Sequence, residues 1–411
     1  MSKTIIIIGA GLAGLSAALQ AAENGCNVKL VSSLPSERAQ SVMAEGGINA
    51  ALNTKDENDS PEEHFTDTIK AACGLADPNA VWGMTQAAPE LVHWLLKLGV
   101  KFNMSGYDDV DLRNFGGQKK KRTAFAQSDT GKQIMTAMID AVRRKEASGM
   151  VERFSHHSFL TLRLCGNICC GCVIRDEYSQ ETVELPGDAV IVATGGMHGL
   201  FGNTTGSLSN TGEVTAELFR LGVPLANGEM IQYHPTTVKC GGKRMLISEA
   251  ARGEGGRLFA MKDGKQWYFM EEKYPELGNL MPRDITAREI WKVSHESEVF
   301  LDMTEISDEI ISNKLSGLAD DCMTYLHKDI RKEPVSVLPG IHYFMGGILV
   351  DEQHRTPIQN LYAAGECCAQ YHGANRLGGN SLLGALYGGR VAAKSACEQA
   401  DVVDLSCATQ I

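Results

Sequence analysis

The chain opens on an uninterrupted apolar run, Thr4–Ile8, followed by Gly9-Ala-Gly-Leu-Ala-Gly14 and a small-residue stretch over 15–23. β-Branched residues without polar alternation read as a strand buried on both faces, the mark of a parallel sheet. The alanine-rich stretch reads as a helix. A second strand follows over 27–31 and ends at Ser32. After a Gly46-Gly47 turn and a polar loop over 53–63, a period of 3.6 residues predicts helices over 65–73 and 80–98. Positions 129–145 put Ile134, Met138, Ile139 and Val142 on one helical face. Another buried strand spans 188–193, closed by Thr194-Gly195-Gly196, and 211–221 is the next helix. From about Gln232 to His342 the strand–helix alternation gives way to mixed segments richer in charge and aromatics. It resumes at Leu361-Tyr-Ala-Ala-Gly365-Glu366, with a helix over 384–397 and a tail over 401–411. The economical reading is an α/β fold. A Rossmann-like domain in two pieces, 1–231 and 345–411, would enclose an inserted α+β capping domain, 232–344.

The glycines between the first strand and helix carry chemistry of their own. In G-x-G-x-x-G, Gly9 makes the tight turn, Gly11 lets the backbone approach a pyrophosphate, and Gly14 lets helix and strand pack closely. The phosphates then meet free N–H groups at the positive end of the helix. A dinucleotide site is therefore expected. The end of the second strand ordinarily supplies an acid for the adenosine ribose. Here it offers Ser32 and Ser33, with Glu37 further on, which weakens a nicotinamide reading and leaves the nucleotide's identity open.

Composition narrows the field only modestly. At 43% hydrophobic and 22% charged, the 411 residues suit a large-cored protein of two domains. A net charge of −11 disfavours nucleic acid as a partner. The first strand begins at Thr4 with no basic leader before it, and no apolar run reaches the roughly 18 residues of a membrane span. A cytoplasmic protein is expected, touching a membrane only through partners. Among the 12 cysteines, Cys165, Cys169, Cys170 and Cys172 cluster, and the single C-x-x-C spacing from Cys169 to Cys172 has no second pair to complete a ligand pattern. They fall in a hairpin-like pattern flanking 175–181, where packing explains them better than metal. The Cys367-Cys368 pair is read in the same way.

Titratable residues gather at glycine-marked turns in the middle and late chain: His234-Pro-Thr-Thr, Ser248-Glu249-Ala-Ala-Arg252, Arg283-Asp284, His342-Tyr-Phe-Met-Gly-Gly and Asn375-Arg376-Leu-Gly-Gly-Asn-Ser381. Singly, each is an ordinary structural histidine or ion pair. Together they suit a site for a small dianion, because arginine forks bind carboxylates bidentately. The segment 112–122 holds Phe115-Gly-Gly-Gln and the basic run Lys119–Arg122, either a solvated loop or a contact to phosphate or acid.

At these motifs the chain resembles the flavoprotein subunits of fumarate reductase and succinate dehydrogenase, with L-aspartate oxidase a close relative. The resemblance runs from Ile5 to Ala396 and rests on GAGLAG, AEGGINAAL, FGGQ, TGGMHGLF, QYHPT, SEAARGEGG, PRDI, HYFMGG, LYAAGE and HGANRLGGNSL. It implies FAD, with Gly9, Ala10, Gly11, Leu12, Ala13 and Gly14 at the pyrophosphate and Ser32 and Ser33 toward the ribose. Ser41, Ala44, Glu45, Gly46, Gly47, Thr194, Gly195 and Gly365 would lie along the cofactor. Glu366 would take the ribityl chain, and Arg376, Ser381 and Leu382 would lie by the isoalloxazine. His234, Ser248, His342 and Arg376 match residues that clamp two carboxylates, and Phe115 an apolar neighbour of the substrate. Arg283 matches the proton donor to an alkene, with Glu249 and Arg252 its relay. An arginine is an unusual acid, serving only if proton donation accompanies carbanion formation and the relay returns the proton at once.

Two departures from the family pattern qualify this. Membrane-bound relatives attach the flavin covalently through a histidine where this chain has Gln40, so non-covalent FAD is expected, favouring fumarate reduction. The family's helical C-terminal domain is expected to be absent, which leaves the electron donor, an iron–sulfur or other redox partner, open. The alternatives are an L-aspartate oxidase, a reductase of a related enoate, or a non-catalytic flavin-binding subunit. The intact Glu249/Arg252/Arg283 set argues against the last.

Overall fold

A computed structural model describes residues 2–106 and 109–400. The expected tail over 401–411 lies outside the described residues. Five parallel strands form the central sheet, in the order Leu361–Ala363, Ala189–Val192, Thr4–Ile8, Asn27–Ser32 and Val151–Ser155. The isoleucine run is explained by what covers each face. Ile5 and Ile7 point into a core shared with Leu30, Ile191 and the helices, while Ile6 and Ile8 enter a second core with Val190, Val192, Cys169 and Cys172. Helix Leu12–Glu23 packs on one face against Asn380–Gln399. That crossing is tight enough that a Cβ at Gly389 would lie 2.3 Å from the Ala13 carbonyl oxygen.

The second face is covered by an antiparallel sheet of His157–Cys165, Ile168–Asp176 and Thr182–Pro186. This is the hairpin read from the cysteine region. Cys169, Cys170 and Cys172 are buried in it, and Cys367 and Cys368 join the same core.

Several element boundaries differ from the periodicity. Helix Pro61–Ala71 starts inside the expected polar loop, because Ser60 accepts a hydrogen bond from the Glu63 N–H and Pro61 occupies the first turn. Asp77 and Pro78 do the same for Pro78–Leu98. The last helix begins at Asn380 rather than 384, so Ser381 and Leu382 belong to its first turn. The basic run divides, Lys119 and Lys121 being exposed while Lys120 and Arg122 are turned toward acids. Lys120 pairs with Glu63, and the fully buried Arg122 pairs with Asp59 at 2.8 Å and Asp67 at 3.0 Å.

Between 231 and 344 lie two antiparallel sheets. One orders Lys243–Leu246, Ile231–Cys240 and Leu338–Phe344; the other Lys265–Trp267, Arg257–Lys262, Val299–Asp302 and Val335–Ser336. They share an apolar core from Ile247 to Val337 that also takes in Phe115 from the first half of the chain. Pairing of Ile231–Cys240 with Leu338–Phe344 slips between His234 and Thr237. Pro235 has no N–H to give a ladder, so the strand bulges there and re-aims His234. Among the described residues no helix is long and apolar enough to cross a membrane.

Candidate active site

One continuous cavity runs from the glycine turn to the inserted sheets. Its first part is built by the first strand–turn–helix. Gly9 has φ +111°, and a Cβ there would lie 2.2 Å from the Ala193 carbonyl oxygen; one on Gly14 would lie 1.8 Å from that of Gly9. At Gly11 a Cβ would meet nothing nearer than 3.7 Å, so that face is open to a ligand. The helix N-terminus carries no acid in its first turn, and only the Leu12 N–H is already bonded, to Ser41 Oγ at 3.2 Å. Ser32 Oγ is buried on the cavity wall with no protein partner. An open anion cradle followed by an orphaned hydroxyl suits the diphosphate and ribose of a dinucleotide.

Further along, the wall is formed by Ala10, Leu12, Ala13, Ser33, Gln40, Ser41 and Ala44, then Gly46, Gly47, Thr194 and Gly195, with Gly365, Ser381 and Leu382 at the far side. Glu366 also lines it, its Oε1 accepting from the Phe344 N–H at 3.0 Å and lying 3.1 Å from His198 Nε2. Glu45 lines it too, and burial, then the charge of Asp321, pushes its carboxyl up to about 8.

Where the cavity meets the inserted sheets, Phe115, His234, Ser248, Glu249, Arg283, His342 and Arg376 converge. Arg283 is locked in place, Nε donating to Glu249 Oε2 at 2.8 Å and Nη1 to Gln232 Oε1 at 3.1 Å. Glu249 Oε1 accepts from the Gly116 N–H at 3.1 Å and from Arg252 Nη2 at 3.2 Å. Arg252 stands behind Glu249 and off the cavity wall, so Arg283, Glu249 and Arg252 form a buried line leading away from the cavity. Burial would raise the Glu249 carboxyl, but the Arg283 and Arg252 guanidiniums outweigh it and hold it below its usual range.

The remaining groups have spare bonding capacity. Arg376 Nε and His234 Nε2 are buried without protein partners. Burial, and then Arg283, lowers Arg376 to about 9 and holds both His234 and His342 well below the ordinary histidine range, so the two imidazoles are neutral. Their rings lie 5.1 Å apart, and His342 Nδ1 is fixed by Thr205 Oγ1 at 2.7 Å. Ser248 caps the short helix Glu249–Gly253. Arg376 stacks over the Tyr343 ring at 4.3 Å.

Two contributors were not singled out from the sequence. Gln232 accepts from Arg283 and donates to the Arg376 carbonyl at 2.7 Å, joining two sides of the cleft. The strand period of two places it on the face of His234, a signal present in the sequence. Arg113, buried over Phe125 at 4.2 Å, donates to the carbonyls of Glu45, Gly46 and Gln127, holding the Gly46-Gly47 turn from behind. No local pattern announces that contact.

A doubly covered parallel sheet with this cradle defines a dinucleotide-binding protein, and the family model described as "FAD binding domain" matches residues 4–382. The chain is 44% identical over 413 residues to the succinate dehydrogenase flavoprotein subunit of Bacillus subtilis, covering 98% of itself and 70% of that subunit. To the L-aspartate oxidase of Streptomyces coelicolor it is 34% identical, over 96% of itself and 68% of that protein. Superposed on E. coli quinol fumarate reductase FrdA, it gives a TM-score of 0.91 at 30% identity, covering 99% of this chain and 72% of that one. The chain belongs to the succinate dehydrogenase/fumarate reductase flavoprotein subunit family, and its cofactor is FAD.

Proposed function

We propose that the chain interconverts fumarate and succinate in the manner of a fumarate reductase, with residues 232–344 capping a flavin domain made of 1–231 and 345–411. Supporting this above all is Arg283, fixed between Glu249 and Gln232 at the end of a cavity that begins at a dinucleotide cradle. Bound FAD supplies or accepts the hydride. The protein's own residues do the rest. Arg376 Nε and His234 Nε2–H, in the neutral tautomer whose Nδ1 accepts from the Thr236 N–H, offer directional hydrogen bonds to substrate carboxylates, with Ser248 and His342 beside them. Phe115 keeps that end of the cavity apolar and dry. Arg283 gives a proton to the substrate carbon as negative charge develops there. Glu249, kept ionised between two guanidiniums, then passes a proton from Arg252 back to it.

The test is turnover of fumarate, succinate and aspartate side by side with a dye couple. Fumarate reduction should dominate, and Arg283→Ala should lower its kcat by at least about 10²-fold while FAD stays bound. Activity surviving in that variant would overturn the proton-donor assignment. Peroxide formation from aspartate outrunning fumarate reduction would favour the oxidase reading, which the Streptomyces relative's name supports. A related enoate remains the third substrate class.

FAD is held here without a covalent bond, since Gln40 on the cavity wall has no nucleophilic nitrogen to offer. Acid precipitation should release all the yellow colour, and flavin left on the pellet would refute it. The electron partner is an iron–sulfur or similar redox protein, through which a cytoplasmic chain would reach a membrane.

A further inference from the structure

Lys239, Lys243 and Arg244 crowd one hairpin tip, between strands Ile231–Cys240 and Lys243–Leu246. The register sets Lys239 directly opposite Arg244, and Cys240 opposite Lys243. Like charges facing each other across a strand pair destabilise it, so this register costs the fold something unless an anion sits between them. Neither lysine nor Arg244 has an ion-pair partner among the described residues, and both lysines are exposed. With Asn203, Gly241 and Gly242 they line a shallow cavity separate from the main cleft. Arg244 is held ready on its rim, donating to Asn203 Oδ1 at 3.0 Å and to Thr237 Oγ1.

The hairpin is joined to the active-site end of the cleft by its own strands. Leu246 and Ser248 line that cleft, and Leu246 is two residues past Arg244, about 7 Å along a strand. The other strand carries His234. The Arg244 N–H also bonds the Thr204 carbonyl at 2.9 Å, next to the Thr205 that fixes His342. For Arg244 that separation from the cleft wall is within the screening length of about 8 Å at physiological salt. On a chain of net charge −11, an incoming dianion meets repulsion over most of the surface.

We propose that this hairpin is a landing site for the substrate dianion, one carboxylate resting between Lys239 and Arg244 before the molecule passes to Arg376 and His234. The proposal rests on reading the cleft as a dicarboxylate site. Its test is the stopped-flow change in flavin absorbance on mixing the FAD-loaded protein with malonate, an unreactive dicarboxylate. Lys239→Gln/Lys243→Gln should slow association about threefold to tenfold at low ionic strength, with dissociation unchanged. The difference should vanish near 1 M salt, where screening acts over about 3 Å. Lys239→Arg/Lys243→Arg should associate as the parent does, separating lost charge from lost fold. Equal association rates in the glutamine variant and the parent, or no malonate binding by the parent, would overturn the landing site. A parent that binds malonate through these lysines yet turns over neither fumarate nor succinate would remove the reaction and leave the landing site standing.

Discussion

Gln232 is the residue on which the two sides of the cleft depend, because its single amide accepts from Arg283 and donates behind Arg376. Replacing it with an apolar side chain of similar length leaves both arginines in place but frees the Arg283 fork to swing on Glu249 alone. Gln232→Leu should therefore lower kcat about tenfold with a smaller change in KM and unchanged FAD content. Steady-state kinetics beside a flavin spectrum would check it. At this scale the sequence was informative wherever a motif carried the residue. His234, Glu249 and Arg283 stand in short, chemically distinctive strings, and the cavity brings them together. Arg113 stands in no such string. Its value comes from three carbonyls contributed by two distant loops, which nothing along the chain foretells.

At the level of elements, the contact between Leu12–Glu23 and Asn380–Gln399 is the one most sensitive to volume. Gly389 lies against the Ala13 carbonyl, and Ser16 Oγ donates to the Leu386 carbonyl at 2.7 Å, so the helices have no room to separate by even one methyl. Gly389→Ala should destabilise the protein by about 1–3 kcal/mol, read as a lower urea midpoint, even though alanine is the better helix former. Element type was legible here because period and composition agree over long stretches. Element ends were not. Pro61 and Pro78 look like breakers in a polar stretch, yet with Ser60 and Asp77 before them they start helices. The glycines before Asn380 likewise hid the first turn of the last helix.

Over the whole molecule, five histidines whose rings are shielded from water set a common response to acid. His64, His234, His342, His354 and His372 are each held below the ordinary value by burial, His64 to about 3 and His354 to about 4. The unfolded chain takes up protons on these rings as pH falls through about 6.5, and the folded chain does not. The stability they contribute is thus complete above that pH and is lost as pH falls below it. Each ring should cost about 1.4 kcal/mol per pH unit once its unfolded form is fully protonated. Urea midpoints should drop steeply from pH 7 to pH 5, and His64→Gln should make that decline shallower. That the chain returns to its first sheet at Leu361–Ala363 agrees with the return of the strand–helix rhythm there. The joining of Phe115 to the core of a segment more than a hundred residues later was not legible, since only the folded chain makes them neighbours.

That placement of Phe115 has a mechanical consequence. Its ring belongs to the apolar core of Ile247, Ala250 and Leu258, while the strand Leu112–Arg113 just before it pairs with Thr123–Ala124, which pairs in turn with Ile48–Asn49, the continuation of the Gly46-Gly47 turn. The wall of the cofactor cleft and the base of the buried Arg283–Glu249–Arg252 line are thus pinned by one aromatic rivet. Prising them apart at that edge would expose the ring to water, at about 1.5–3 kcal/mol. A smaller side chain at position 115 would give up that resistance and loosen the seam between the Gly46-Gly47 turn and the inserted sheets.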